Sequence, residues 1–231
     1  MKKILVVLLV FCILMMTACK SAEEVKSEQE AKYAADYVEV VFSSELIQNY
    51  NKDDYGNQID YHWNSDTNNY PDFDAEIDVT IDGVHISSGD KVSKLIDNGF
   101  YLADAYQKLE AGEKESSLSC DDTSNGCYLT ISIYNSSDKA KARMDCEIIE
   151  MHITSLSMDT MDYKGLTKDS SLMDIKFKLG LPVSIEITSA SIRLHYQLSG
   201  SVNPYGFATI DYNYSNNSIE YITLHYEDTS N

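Results

Sequence analysis

From Ile77 onward the chain alternates apolar and polar residues in short runs separated by turn-forming residues. Ile77, Val79 and Ile81 alternate with Glu76, Asp78, Thr80 and Asp82 before Gly83. That spacing predicts a strand with one face in a core and the other in water, closed by a turn. Leu129/Ile131/Ile133 and Ile149/Met151/Ile153 repeat the pattern around the turn residues Asn135-Ser136-Ser137-Asp138. Three further runs follow: Ile192/Leu194/Tyr196, Ala208/Ile210/Tyr212 and Ile222/Leu224/Tyr226, with Asn216-Asn217 as the turn between the last two. Two segments switch to helical spacing. Val92, Leu95 and Ile96 follow Ser88-Gly89-Asp90 and stop at Asn98-Gly99, while Leu172, Ile175 and Leu179 follow Asp169-Ser170-Ser171 and end at Gly180-Leu181-Pro182. Both have the start and stop residues of a short helix, since a left-handed glycine caps its end and proline cannot extend it.

The order of these elements, a helix followed by a meander, occurs twice, with Gly99 and Gly180 as corresponding helix stops. The expected fold is α+β: two tandem units, each a short helix or helix pair packed on an antiparallel β-meander. The first unit is placed at residues 73–160 and the second at 161–231. The stretch 37–72 is harder to assign. Tyr37 to Tyr50 is apolar enough to be ordered, as strand or as helix, and Asn49 to Asp74 reads as a long loop with a short strand near Ile59-Asp60-Tyr61.

At its start the chain carries Lys2 and Lys3, an apolar run from Ile4 to Met16, and Thr17-Ala18 before Cys19. This is the layout of a secretory signal, and the terminal cysteine resembles the lipobox of bacterial lipoproteins, with Met16 where leucine is usual. The resemblance implies cleavage after residue 18, lipidation of Cys19, and a mature protein held to the outer face of a membrane. Residues 19–36 are polar, without a deep apolar stripe, and read as a tether. No cofactor is expected.

Charge narrows the partners. The chain has 18 basic and 37 acidic residues, and removal of residues 1–18 takes away only Lys2 and Lys3, leaving a formal charge of −21. Such a surface repels phosphate backbones, so nucleic acid is excluded as a partner. Cys120, Cys127 and Cys146 remain beyond the lipid site. Cys120 and Cys127 flank the turn-rich Asp121-Asp122-Thr123-Ser124-Asn125-Gly126, which leaves two alternatives, a disulfide between them or three reduced thiols.

The stretch Gly165-Leu166-Thr167, Ser170-Ser171 and Leu179-Gly180-Leu181-Pro182 resembles a motif of small bacterial envelope lipoproteins. These are the SmpA/OmlA-type outer-membrane assembly lipoproteins and the tandem-repeat β-lactamase inhibitor proteins; the layout is also similar to Gram-positive lipoproteins with two such units. The resemblance spans about residues 73–231, and it implies the two-unit fold rather than a particular activity. The first unit departs from the motif, since Gly99-Phe100-Tyr101 lacks the proline and the loop from Gly112 to Gly126 is longer.

No nucleophile elbow, zinc-protease helix, phosphate loop or Cys-x-x-Cys is present. Asn51-Lys52-Asp53-Asp54-Tyr55-Gly56 opens like a calcium loop, but Tyr55 and His62 fall where ligands are needed, which excludes an EF-hand. Neither a catalytic residue nor a metal-ligand set is assigned. Sugar stacking on Tyr61, Trp63 or Tyr70 is a minor alternative. If the aliphatic residues face the core, strict alternation turns the others outward. That outward face carries Arg193, His195, Phe207, Asp211, Tyr221 and His225 in the second unit, and Tyr128, Tyr134, Ile148, Glu150 and His152 in the first. Aromatic and arginine side chains beside polar ones are what interface centres favour, so this face is the candidate partner surface. Two functions compete: a non-enzymatic binding module for a protein or envelope component, and an envelope hydrolase or metal-dependent enzyme using His195, His225 and Asp211.

Overall fold

The computed structural model describes residues 76–122, 124–154, 157–180, 182, 184–187, 191–197 and 205–227, and the backbone of 50–52 and 59–62. The signal segment, Cys19, the tether through residue 36, Trp63 and Tyr70 lie outside the described residues. The first elements among the described residues are β1 (Tyr50–Lys52), β2 (Ile59–His62), β3 (Asp78–Ile81) and β4 (Val84–Ser87), then α1 (Val92–Ile96). Next come β5 (Tyr101–Leu102), β6 (Lys108–Leu109), β7 (Lys114–Asp122), β8 (Cys127–Tyr134), β9 (Lys141–Ala142) and β10 (Glu147–Ile153). The second half holds β11 (Met161–Tyr163), α2 (Leu172–Leu179), β12 (Ser184–Ile187), β13 (Ile192–Gln197), β14 (Tyr205–Asn213) and β15 (Ser218–Glu227). The short strand expected near Ile59 is β2.

One antiparallel sheet dominates, in the order β1-β2-β12-β13-β14-β15-β10-β8-β7-β5. Two small sheets, β11-β3-β4 and β6-β9, stand apart from it. Leu129, Ile131, Met151, Ile153, Leu194, Ile210, Ile222 and Leu224 are all at most 1% exposed and line one face of the large sheet. Against that face pack α1 through Val92 and Leu95, and α2 through Leu172, Ile175 and Leu179. The second helix starts where the sequence says it should. Ser171 Oγ accepts from the Asp174 amide, and the Asp174 carboxylate accepts from the Ser171 amide at 2.8 Å, a reciprocal cap for two orphan donors. Its end falls at Gly180, whose φ of 77° is costly for any residue with a Cβ.

The α+β expectation of two helix-on-meander units is overturned. Among the described residues strands hold 52% and helices 13%, with two α-helices, so the described part is predominantly β. The physical reason lies at the junction of the halves. Strand β15 pairs with β10 over Glu150↔His225, Met151↔Leu224, His152↔Thr223 and Ile153↔Ile222. Each meander alone would leave a row of unpaired backbone groups at its edge, and edge-to-edge pairing satisfies both rows while making one core from two. A second departure is the segment 112–126. Instead of a long loop it forms most of the β7–β8 hairpin, paired from Lys114↔Tyr134 to Asp122↔Cys127.

Candidate functional site: the open face of the sheet

The face of the large sheet opposite the helices carries its polar and aromatic side chains in transverse ranks, set by the register of neighbouring strands. One rank runs His195, Thr209, Thr223, His152, Thr130 and Ser119 across β13, β14, β15, β10, β8 and β7. Here His195 Nδ1 lies 3.3 Å from Thr209 Oγ1, and His152 Nδ1 lies 2.9 Å from Thr223 Oγ1. The rank beside it on one side contains Glu186, Arg193, Asp211 and Tyr221. Arg193 Nε donates to Asp211 Oδ1 at 2.8 Å, and its Nη1 is 3.6 Å from Glu186. On the other side lie Phe207, His225, Glu150 and Ser132. His225 Nδ1 is 3.2 Å from Glu150 and Ser132 Oγ donates to the same carboxylate at 3.1 Å. The rings of Phe207 and His225 are stacked at 5.0 Å, and those of His152 and Tyr221 at 5.7 Å. Nearer the edge, Lys114 Nζ bonds Glu227 at 2.6 Å and stands over the Tyr134 ring.

The structure therefore sets Arg193, His195, Phe207, Asp211, Tyr221, His225, Tyr128, Tyr134 and His152 on one continuous face. Ile148 is the exception. A β-bulge between Ile148 and Glu150 adds one residue to β10, so Ile148 turns into the core at 1% exposure and Ile149 is the inserted residue. Alternation breaks its phase at a bulge, and nothing in the Ile-Ile dipeptide announces which of the two is extra. Glu186, Glu147, Lys114, Glu227 and Asp121 also stand on this face and were missed as site residues. Glu186 was legible, because Ile185 and Ile187 flank it in alternation.

The proposed catalytic grouping of His195, His225 and Asp211 is not brought together. His195 pairs with Thr209 and His225 with Phe207 on the strand between them, which puts their Cα atoms about 12 Å apart at ordinary strand spacing. Asp211 pairs with Tyr221, four residues from His225, a separation of about 14 Å. Each is held by a different partner, so no shared substrate atom is within their joint reach. Among the described residues no group of three His, Cys, Asp or Glu side chains is arranged to hold a metal ion.

Cys120, Cys127 and Cys146 are free and buried. Cys120 pairs with Leu129 and Cys127 with Asp122, so the two thiols are diagonal neighbours on one side of the hairpin. Diagonal neighbours lie about 7–8 Å apart, their Cβ atoms somewhat less, wider than the Cα spacing a disulfide spans. The turn residues bring the strands together in a register that does not oppose the cysteines. Burial, aided by Asp121, pushes the Cys120 thiol up to about 12. Burial also raises Cys127 and Cys146, which leaves all three inert as nucleophiles.

Two groups on the open face couple its electrostatics to stability. The hydrogen bond from His225 holds the Glu150 carboxyl below its usual range against the opposing effect of burial. Burial pushes His195 below the ordinary imidazole range, with Glu186 opposing. A carboxyl with a lowered folded pKa stabilises above its unfolded value of about 4.3 and loses that contribution as pH falls through the folded value. A histidine with a lowered folded pKa refuses, below about pH 6.5, a proton that the unfolded chain accepts. Both signs agree. Denaturant unfolding is expected to show stability falling from pH 6.5 toward about pH 4 and faster below it, and His195→Asn is expected to flatten the upper part. Stability rising on acidification would contradict these environments.

Among the described residues the fold is a predominantly antiparallel β structure, whose large sheet buries one face in a core shared with two helices and the small β11-β3-β4 sheet and leaves the other face open. No family model, curated protein or solved structure matches the chain.

Proposed function

We propose that the chain is a non-enzymatic recognition protein, lipid-anchored at Cys19 outside the cytoplasm, which binds a protein or cell-envelope component through the open sheet face. The anchor rests on the lysine-led apolar segment and Ala18-Cys19. Two or three acyl chains on one cysteine give durable attachment, since each buried methylene contributes about 0.8 kcal/mol.

One observation carries the binding role. The polar groups of the open face are satisfied sideways, Arg193 by Asp211, Glu150 by His225, His152 by Thr223, instead of converging on a point. A surface so braced is rigid before contact, which lowers the ordering cost of association. Its aromatic members include Tyr128 at 41% and Tyr221 at 37% exposure, side chains of the kind that anchor interfaces. Chemical crosslinking on cells of the native host, with the full chain as bait, tests the reading. Phe207→Ala, Tyr221→Ala and Arg193→Ala combined are expected to cut partner recovery at least about tenfold, since such anchors typically contribute 1 kcal/mol or more each. Unchanged recovery from a folded triple variant would overturn it.

A further inference from the structure

The open face is unevenly charged. Among the described residues Glu186, Asp211, Glu150, Glu147, Glu227 and Asp121 stand on it against Arg193 and Lys114, six acids to two bases. Both bases are already engaged within the face, Arg193 by Asp211 and Glu186 and Lys114 by Glu227. Among the described residues Glu147 is hydrogen-bonded to the hydroxyl of Ser136, and Asp121 to that of Ser119; a neutral hydroxyl steadies a carboxylate without cancelling its charge. The whole chain is acidic, but not evenly so: around α2, residues 159–180 carry Lys164, Lys168, Lys176 and Lys178 against Asp159, Asp162, Asp169 and Asp174, which balance. At one end the open face dips into a cleft of about 340 Å³, where Glu147 and Glu227 meet Glu76, Tyr134 and Tyr226.

We infer that the partner of the open face presents arginine and lysine side chains: a basic peptide or protein surface. The inference rests on the reading of that face as a recognition surface. Carboxylates interleaved with Phe207, Tyr221, Tyr128 and Tyr134 offer a guanidinium both an ionic partner and an aromatic ring to lie on. Complementary potential of this kind sets partner choice and association rate more than raw affinity. At about 340 Å³ the cleft has room for one such side chain and supplies both acid and ring.

The test titrates the full chain with three synthetic peptides in which tyrosine alternates with arginine, with glutamate or with serine. The arginine peptide is expected to bind, and its affinity to fall as salt is raised through about 0.15 M. Neutralising the face with Asp121→Asn, Glu147→Gln and Glu186→Gln is expected to weaken it about tenfold. The same charge change away from the face, Asp97→Asn, Glu110→Gln and Asp169→Asn, is expected to weaken it less than about twofold. Equal weakening by both sets would reduce the effect to bulk charge and overturn the inference. A Phe207→Ala, Tyr221→Ala variant reports whether a peptide sits on the face at all. Glutamate or serine peptides bound in preference, and lost in that variant, would leave the face a recognition surface and overturn its basic partner. Binding of every peptide unaffected by that variant would overturn both.

Discussion

Replacing Leu224 with alanine is expected to cost about 3 kcal/mol of stability and to loosen both halves of the chain together. Leu224 is 1% exposed in the middle of β15. It stands opposite Ala208 on β14 and Met151 on β10, so it packs on the seam where the two meanders become one sheet. Truncation removes three carbons from water-free contact and leaves a void that neighbours on both sides line. Ala208 is too small to fill it, which puts the cost in the middle of the range for such substitutions. Where the loss appears is more telling than its size. With β10–β15 pairing intact as a structural seam, amide hydrogen exchange is expected to accelerate in β8 as well as in β13, because both depend on the same ladder. Faster exchange confined to residues 161–227 would mean two separately stable units.

A comparable loss, about 3 kcal/mol, is expected from Asn135→Ala. Asn135 is fully buried. Its Nδ2 donates to the carbonyls of Leu109, Glu110 and Lys139 at 2.8–3.0 Å. Its Oδ1 accepts from the Ser137 amide and hydroxyl. One amide thus pins the strand end of β8 to the β6 region and to the loop before β9. Alanine would strand those carbonyls in a site with no room for compensation by packing, and each unsatisfied buried group costs about 1–3 kcal/mol. Asn135→Asp is expected to be no better, because it points a carboxylate at three carbonyl oxygens. Asn98→Ala is the matched control. Asn98 Nδ2 also donates to a carbonyl, that of Lys94, but in an exposed position, where water replaces it and the change is expected to stay within about 0.5 kcal/mol. Chemical denaturation of the three variants checks the set; equal midpoints for Asn98→Ala and Asn135→Ala would contradict it.

Asn135 also shows how far the sequence could be read. As the first residue of Asn-Ser-Ser-Asp it announced a turn, and a turn is there. Its role as a buried hub depended on which carbonyls the β6 segment would bring beside it, information spread over residues far apart in the chain. The apolar strands were legible because each carries its own period: Leu129, Ile131 and Ile133 need no partner to declare a face. Strand β7 was not, since Lys-Glu-Ser-Ser-Leu-Ser-Cys-Asp-Asp holds only Leu118 and Cys120 as apolar residues and lies near the sheet edge, where one side needs little burial. The joining of β10 to β15 was invisible for another reason. Period 2 tells which way a side chain points and says nothing about which strand lies beside it. The same holds for the site. Alternation put His152, His195 and His225 on the outward face but could not tell that the ranks would keep the histidines apart. That separation removes the catalytic grouping and leaves a broad, laterally braced surface.

Site-specific photo-crosslinking on intact host cells tests that surface most directly. A benzophenone side chain placed at Tyr221 samples the open face, and one at Phe177, which is 85% exposed on the outer side of α2, samples the opposite side of the molecule. A discrete protein or envelope adduct from position 221 and none from 177 is the predicted result. Adducts from 177 alone, or the same adducts from both positions, would contradict the assignment of recognition to the open sheet face.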